Sequence, residues 1–156
     1  MAENETHEGG CLCGSVRYQT VGMPAKAAVC HCRYCQMRTG SAFGVSAYFP
    51  NDHVKVLQGE LKSFQFQTES GRAFKTQFCP TCATTLFWSL ELSPDLTGVA
   101  VGTFDPPSFW FKISREIFTR SAAEFVHTSL PDKFETTASY APVQKDRPAL
   151  SGVKNG

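Results

Sequence analysis

Seven cysteines carry most of the chemical information in this chain, and they fall into three tight groups: "CLC" at 11–13, "CHCRYC" at 30–35 and "CPTC" at 79–82. Cysteines used only as small core hydrophobes would be scattered. Gaps of one and two residues are metal-ligand spacing instead. In an extended strand, positions i and i+2 share a face, so Cys11 and Cys13 are expected to aim two sulfurs the same way. Cys79 and Cys82 do so through a tight turn around Pro80 and Thr81. Two such pairs make a closed, tetrahedral four-thiolate zinc site of the structural kind. Its metal-binding energy would feed directly into folding.

Cys30, Cys32 and Cys35 remain. The first two share a strand face and the third comes round on the following turn, so all three can converge on one ion. Three protein ligands with an open fourth position define a catalytic zinc. Spacing leaves open which pair joins which, since Cys30 or Cys35 can also serve the first set; four plus three is the preferred division. Zinc on three thiolates is soft and takes sulfur readily, and a thiol bound there loses its proton. Such a sulfur can add to a small carbonyl carbon or leave from one. Carbon–sulfur bond making or breaking is therefore the expected chemistry. Hydrolysis is the weaker variant, because three anionic ligands reduce the metal's acidity. His31 lies between two ligands, and alternation turns it away from their metal toward a supporting or exposed role. His7, His53 and His127 have no ligand partner nearby in sequence and read as surface residues.

The elements that must position these sulfurs are short and β-rich. Candidate strands run over 11–20, 25–32, 41–49, 54–58, 61–68, 72–79, 84–90, 98–104 and 116–126, with one short helix at 33–40. In 61–68 the face bearing Phe64 and Phe66 is expected to point into the core. Phe74, Phe78, Phe87 and Trp88 are assigned to the core as well. The fold class is mainly β: a single small zinc-containing domain of several short antiparallel sheets with short helical turns. Residues 1–8 read as a flexible leader, 9–135 as the domain and 136–156 as a C-terminal tail.

The chain has 156 residues, is 42% hydrophobic with 13 Phe, and carries a net charge of +1. That suits one globular domain. Without a run of Lys or Arg it lacks the electrostatic footprint of a nucleic-acid or membrane-surface binder. No apolar run approaches the roughly 18 residues of a membrane span. The polar start "MAENETHEGG" is not a secretory signal, and clustered thiols without export fit a reducing compartment. A cytoplasmic location follows as the expectation. Oligomeric state is not legible.

"GGCLCGSVRY", "CHCRYCQMRTGSAFGV", "FCPTCATTLF" and "VAVGTFDPP", in that order, resemble the glutathione-dependent formaldehyde-activating enzyme family, which also includes centromere protein V. The resemblance runs from about Gly9 to Asp105 and more weakly to about Phe134. It implies a mainly β fold with two zinc ions: a structural one on Cys11, Cys13, Cys79 and Cys82, and a catalytic one on Cys30, Cys32 and Cys35. It also implies a carbon–sulfur lyase that joins formaldehyde to glutathione, giving S-(hydroxymethyl)glutathione, with a small thiol and aldehyde as partners. Two positions depart from the family pattern. Cys-Gly-Thr after the last motif becomes Cys82-Ala83-Thr84, so a positive φ there would strain Ala83 by about 1 kcal/mol or more. A His–Ile pair becomes Glu116-Ile117.

Glutathione carries two carboxylates, so a cation near the second set is expected, with Arg33, Arg38, Arg72 and Lys75 as candidates. Thr39 and Ser41 are candidates for supporting the loop that holds Cys35, the alternative being simple turn residues. The rival function is a non-catalytic, zinc-stabilised binding module of the centromere protein V type. That module would need a basic or Pro-rich docking extension, and the acidic leader and near-neutral body favour the enzyme.

Overall fold

The computed structural model describes residues 4–137; most of the expected C-terminal tail, from residue 138 onward, lies outside them. In chain order the elements are β1 (Thr6–Gly10), β2 (Arg17–Val21), β3 (Lys26–Cys30), α1 (Arg33–Thr39), β4 (Gly44–Pro50), β5 (Val54–Gln58), β6 (Lys62–Gln67), β7 (Ala73–Phe78), β8 (Thr85–Leu90), β9 (Ser93–Ala100), β10 (Arg115–Ile117) and β11 (Asp132–Lys133). Short 3-10 turns lie at Asn51–His53, Val101–Thr103 and Thr119–Ser121. The mainly β reading holds. No helix among the described residues is long and apolar enough to cross a membrane.

The chain forms two compact units, at joins that no composition shift in the sequence marks. One takes in the chain up to Lys26, Ala47–Phe66 and Ala73–Lys112; the other takes in Ala27–Ser46, Gln67–Arg72 and the chain from Ile113. The first holds the three-stranded sheet β1-β2-β5, the strand run β9-β8-β7-β6 and the part of β4 from Ala47 onward. Its core is aromatic. Tyr18 packs edge-on against Phe87 at 5.0 Å and Phe104 at 5.5 Å. Trp88 lies across Gly98 of the neighbouring strand, where a Cβ would sit 2.1 Å from the indole nitrogen. That nitrogen donates to the Tyr48 hydroxyl at 3.0 Å.

Three expectations need correction in this unit. Residues 6–8 of the presumed leader belong to β1, which pairs with β2 from Thr6↔Val21 to Gly10↔Arg17. Gly9 permits this, because any Cβ there would lie 2.5 Å from the Tyr18 hydroxyl and from the Thr103 carbonyl. The run 11–20 is a turn followed by a strand. Phe64 is 62% exposed: it lies on β6, the last strand of the order, and stacks on Phe66 at 6.0 Å rather than entering the core; only Phe87 and Trp88 of the expected aromatics are fully buried, with Phe66, Phe74 and Phe78 half-buried.

The second unit is built on the order β11-β10-β3-β4. Here the antiparallel expectation fails locally: β10 runs parallel to β3 (Glu116↔Val29) and to β11 (Arg115↔Asp132). The expected strand 116–126 shrinks to three residues. Phe118 adopts a left-handed φ of 56° and turns the chain into the Thr119–Ser121 3-10 turn. Helix α1 follows the sequence reading closely. Cys32 stays extended at its start, and Gly40 closes it with φ 62°, a conformation glycine takes without strain.

Candidate metal centres

The four-cysteine set lies wholly within the first unit and is built from two turns. Cys11 opens the first: Gly14 N–H returns to its carbonyl at 3.0 Å, and Val16 N–H donates to its sulfur at 3.2 Å. Sulfur convergence here comes from the turn, with Gly14 at φ 77°, rather than from strand alternation. Cys79 opens the second. Ala83 N–H reaches the Cys79 carbonyl at 2.9 Å, and Thr81 N–H reaches its sulfur at 3.4 Å. Ala83 has φ 61°, so the strain anticipated from the missing glycine is present. Thr84 links the two turns: its hydroxyl accepts from Leu12 N–H at 3.2 Å and lies 3.2 Å from the Cys82 sulfur.

All four sulfurs lie within 4.8 Å of one another. Cys11–Cys13 is 3.5 Å and Cys13–Cys79 is 3.8 Å. A tetrahedron with metal–sulfur bonds of about 2.3 Å has edges of about 3.8 Å, so the donor set fits zinc. The Ser15 hydroxyl sits 3.1 Å from Cys13 and 3.3 Å from Cys79. Burial pushes the Cys11 thiol up, yet donation from Val16 N–H and the Ser15 hydroxyl brings it to about 7. The Thr84 hydroxyl and N–H, followed by Cys13 N–H, draw Cys82 down to about 5. At Cys11 and Cys82 these surroundings favour the thiolate that a metal needs; at Cys13 donation from Ser15 lowers the thiol, but burial and hydrogen bonding to Cys11 and Cys82 leave it raised.

The three-cysteine set lies wholly within the second unit. Cys30 ends β3, Cys32 precedes α1 and Cys35 sits in its first turn, and their sulfurs again lie within 4.8 Å of one another. Among the described residues no fourth Cys, His, Asp or Glu joins them. Bonds from the Cys30 and Cys32 thiols, against burial and with help from the Arg38 guanidinium, hold Cys35 well below the usual thiol range. Hydrogen bonding to Cys32 and Cys35, with burial, pushes Cys30 well up. Cys32 is lowered by its bond from Cys30, but its bond to Cys35 and its burial leave it at about 12.

Helix α1 is pinned from several sides within the unit. Gln36 donates to the carbonyls of His31 and Ser121, each at 3.2 Å. The Tyr34 hydroxyl accepts from Glu69 N–H at 2.7 Å, and Arg120 pairs with the Glu69 carboxylate at 3.0 Å. Thr39 donates to the Cys35 carbonyl at 2.8 Å and accepts from Ser41 N–H at 3.2 Å; Cys35 lies in α1 rather than in a loop, and these bonds close the end of the helix.

His31 turns away from the sulfurs, as alternation requires, but it is fully buried. Its Nε2 meets Glu116 Oε1 at 2.6 Å. Glu116, itself buried, also accepts from the Thr128 hydroxyl and from Lys133 Nζ at 3.1 Å. Burial raises the Glu116 carboxyl, but donation from Thr128, His31 and Lys133 holds it below the usual carboxylate range. The sequence reading noted Glu116 only as a departure. No local signal joins it to a histidine 85 positions earlier in the chain. His127 is exposed as expected; His7 stacks on Trp110 at 3.5 Å.

Beside α1 lies an open groove of about 770 Å³ with Arg33, Gln36, Met37, Phe43, Phe125 and Val126 among its lining residues. Of the four candidate cations, Arg38 contacts the trio and Arg33 lines this groove.

A mainly β domain with one four-sulfur and one three-sulfur cysteine set is the class of protein that fold and site define. The family model for glutathione-dependent formaldehyde-activating enzyme matches residues 6–121, and the chain belongs to that family. Among solved structures it is similar to the crystal structure of a Rhodobacter sphaeroides protein from a structural-genomics effort. Identity is 25% and the TM-score 0.52, over 68% of this chain and 96% of that one.

Proposed function

We propose that the protein is a zinc-dependent carbon–sulfur lyase of the formaldehyde-activating type, acting on a thiol adduct such as S-(hydroxymethyl)glutathione. One observation carries this reading: the donor sets are unequal. The four-sulfur set has the ligands for a closed site, whereas the three-sulfur set lacks a fourth protein donor among the described residues. Family membership supplies the substrate class, a small thiol and an aldehyde.

Zinc held by Cys30, Cys32 and Cys35 would give the incoming thiol a Lewis-acid seat and favour its thiolate form. In the synthetic direction the substrate sulfur bonds to the formaldehyde carbon, the carbonyl π pair moves to oxygen, and the thiol proton ends on that oxygen. The reverse direction releases aldehyde and thiol. Cys11, Cys13, Cys79 and Cys82 serve as the structural set. His31 and Glu116 hold the β3 end that presents Cys30 and Cys32. The α1 groove, with Arg33 among its lining residues, would take the peptide part of the thiol.

The test is two-dimensional exchange NMR on ¹³C-formaldehyde and glutathione with zinc-loaded protein. Cross-peaks between free and adduct carbon should grow faster than without protein, and Cys32→Ala should return them to the uncatalysed rate. A fully loaded protein that leaves the exchange rate unchanged would overturn the lyase reading in favour of a binding module.

A further inference from the structure

Helix α1 places Arg38 three residues after Cys35, on the same helical face. Gly44, the first residue of β4, lies directly against both. A Cβ at Gly44 would stand 2.5 Å from Arg38 Nη2, 3.5 Å from its Cζ and 3.2 Å from Cys35 Cβ. The missing side chain leaves a notch in which the guanidinium rests, close enough to Cys35 for its charge to favour the thiolate. A guanidinium stays charged at every ordinary pH, so this is a permanent cation next to the trio.

A divalent ion on three thiolates carries one net negative charge, and a fourth thiolate makes it two. A fixed cation at that distance offsets the second charge; it does nothing for a neutral donor such as imidazole or water. We infer that Arg38, seated in the Gly44 notch, is a specificity-determining residue that makes the three-cysteine site prefer an anionic sulfur ligand over a neutral one. This rests on the lyase reading above, and it names the charge state of the ligand that the site accepts.

The experiment uses cobalt(II)-loaded protein, with bands of the four-sulfur site as an internal control for folding. Glutathione and, separately, imidazole are titrated into the wild type, Arg38→Gln, Arg38→Lys and Gly44→Ala. Arg38→Gln should weaken glutathione binding by roughly 100-fold, the scale expected for one unit charge about 6 Å away at an effective dielectric near 20, while imidazole binding shifts by less than about twofold. Arg38→Lys should recover most of the glutathione affinity. Gly44→Ala, by displacing the guanidinium, should mimic Arg38→Gln. Equal loss for both ligands in Arg38→Gln would make Arg38 a mere support for Cys35 and overturn the inference, as would no loss for either. Should the wild-type cobalt bands ignore glutathione altogether, the lyase reading falls first. A response in the wild type that Arg38→Gln leaves intact sinks only the role of Arg38.

Discussion

Replacing Glu116 by glutamine is the sharpest probe of how the second unit is held together. The carboxylate is 3% exposed and has three partners: His31 Nε2 at 2.6 Å, the Thr128 hydroxyl, and Lys133 Nζ at 3.1 Å. The amide keeps one acceptor oxygen, enough for Thr128. It puts an NH₂ or a neutral oxygen against His31, which removes a charge-assisted hydrogen bond worth about 1.5–3 kcal/mol. Lys133 is 47% exposed and also donates to the Thr128 carbonyl at 2.9 Å, so its share is about 0–1 kcal/mol. The expected loss is therefore about 2–3 kcal/mol at neutral pH, read as a shift of the urea midpoint at unchanged slope. The pH dependence has a definite sign. Glu116 is held below its ordinary range in the folded state, so its contribution is present above the unfolded carboxyl value and fades as pH falls through the folded one. The gap between wild type and variant should close in acid, below the ordinary glutamate value of 4.5, whatever acid does to both proteins alike. A midpoint that barely moves at neutral pH, or a gap that survives acid undiminished, would refute the claim that this carboxylate anchors His31.

Ala83→Gly should stabilise the protein. Relief of a left-handed alanine yields about 1–2 kcal/mol, the freer unfolded glycine gives back about 0.4–1, and denaturation should report a net gain of about 0.5–1. A lowered midpoint would mean that Ala83 is not strained. Cys79→Ala removes a fully buried sulfur from the four-sulfur set. Because structural zinc contributes apparent free energies of about 10–16 kcal/mol in small domains, circular dichroism should show a largely unfolded chain; native-like melting would count against a structural role.

The grouping of the cysteines was legible because their spacing is local: gaps of one and two residues bring the sulfurs together whatever the backbone does. The backbone itself was misread around Cys11, where alternation suggested a strand and Gly14 makes a turn. Helix α1 was readable from "RYCQMRTG", since its stop signal, Gly40, lies within the window. β1 was not, because "THEGG" has no apolar alternation and exists only where Gly9 lets Tyr18 and Thr103 approach. β10 was overextended for the opposite reason. Its pairing with β3 joins residues more than eighty positions apart, and no local pattern announces where such pairing ends. His31 shows both sides: alternation gave the direction of its ring, and nothing nearby could reveal that Glu116 waits there. Phe64 failed because hydrophobic alternation names a face without saying whether anything covers it.

The central claim is that Cys30, Cys32 and Cys35 leave one coordination position for an outside thiol while the other four cysteines leave none. Cadmium-113 NMR of the doubly loaded protein tests it most directly. Two resonances should appear, and glutathione should move only the less sulfur-rich one, toward the position of the four-sulfur site. A single resonance, or two that ignore glutathione, would contradict the account.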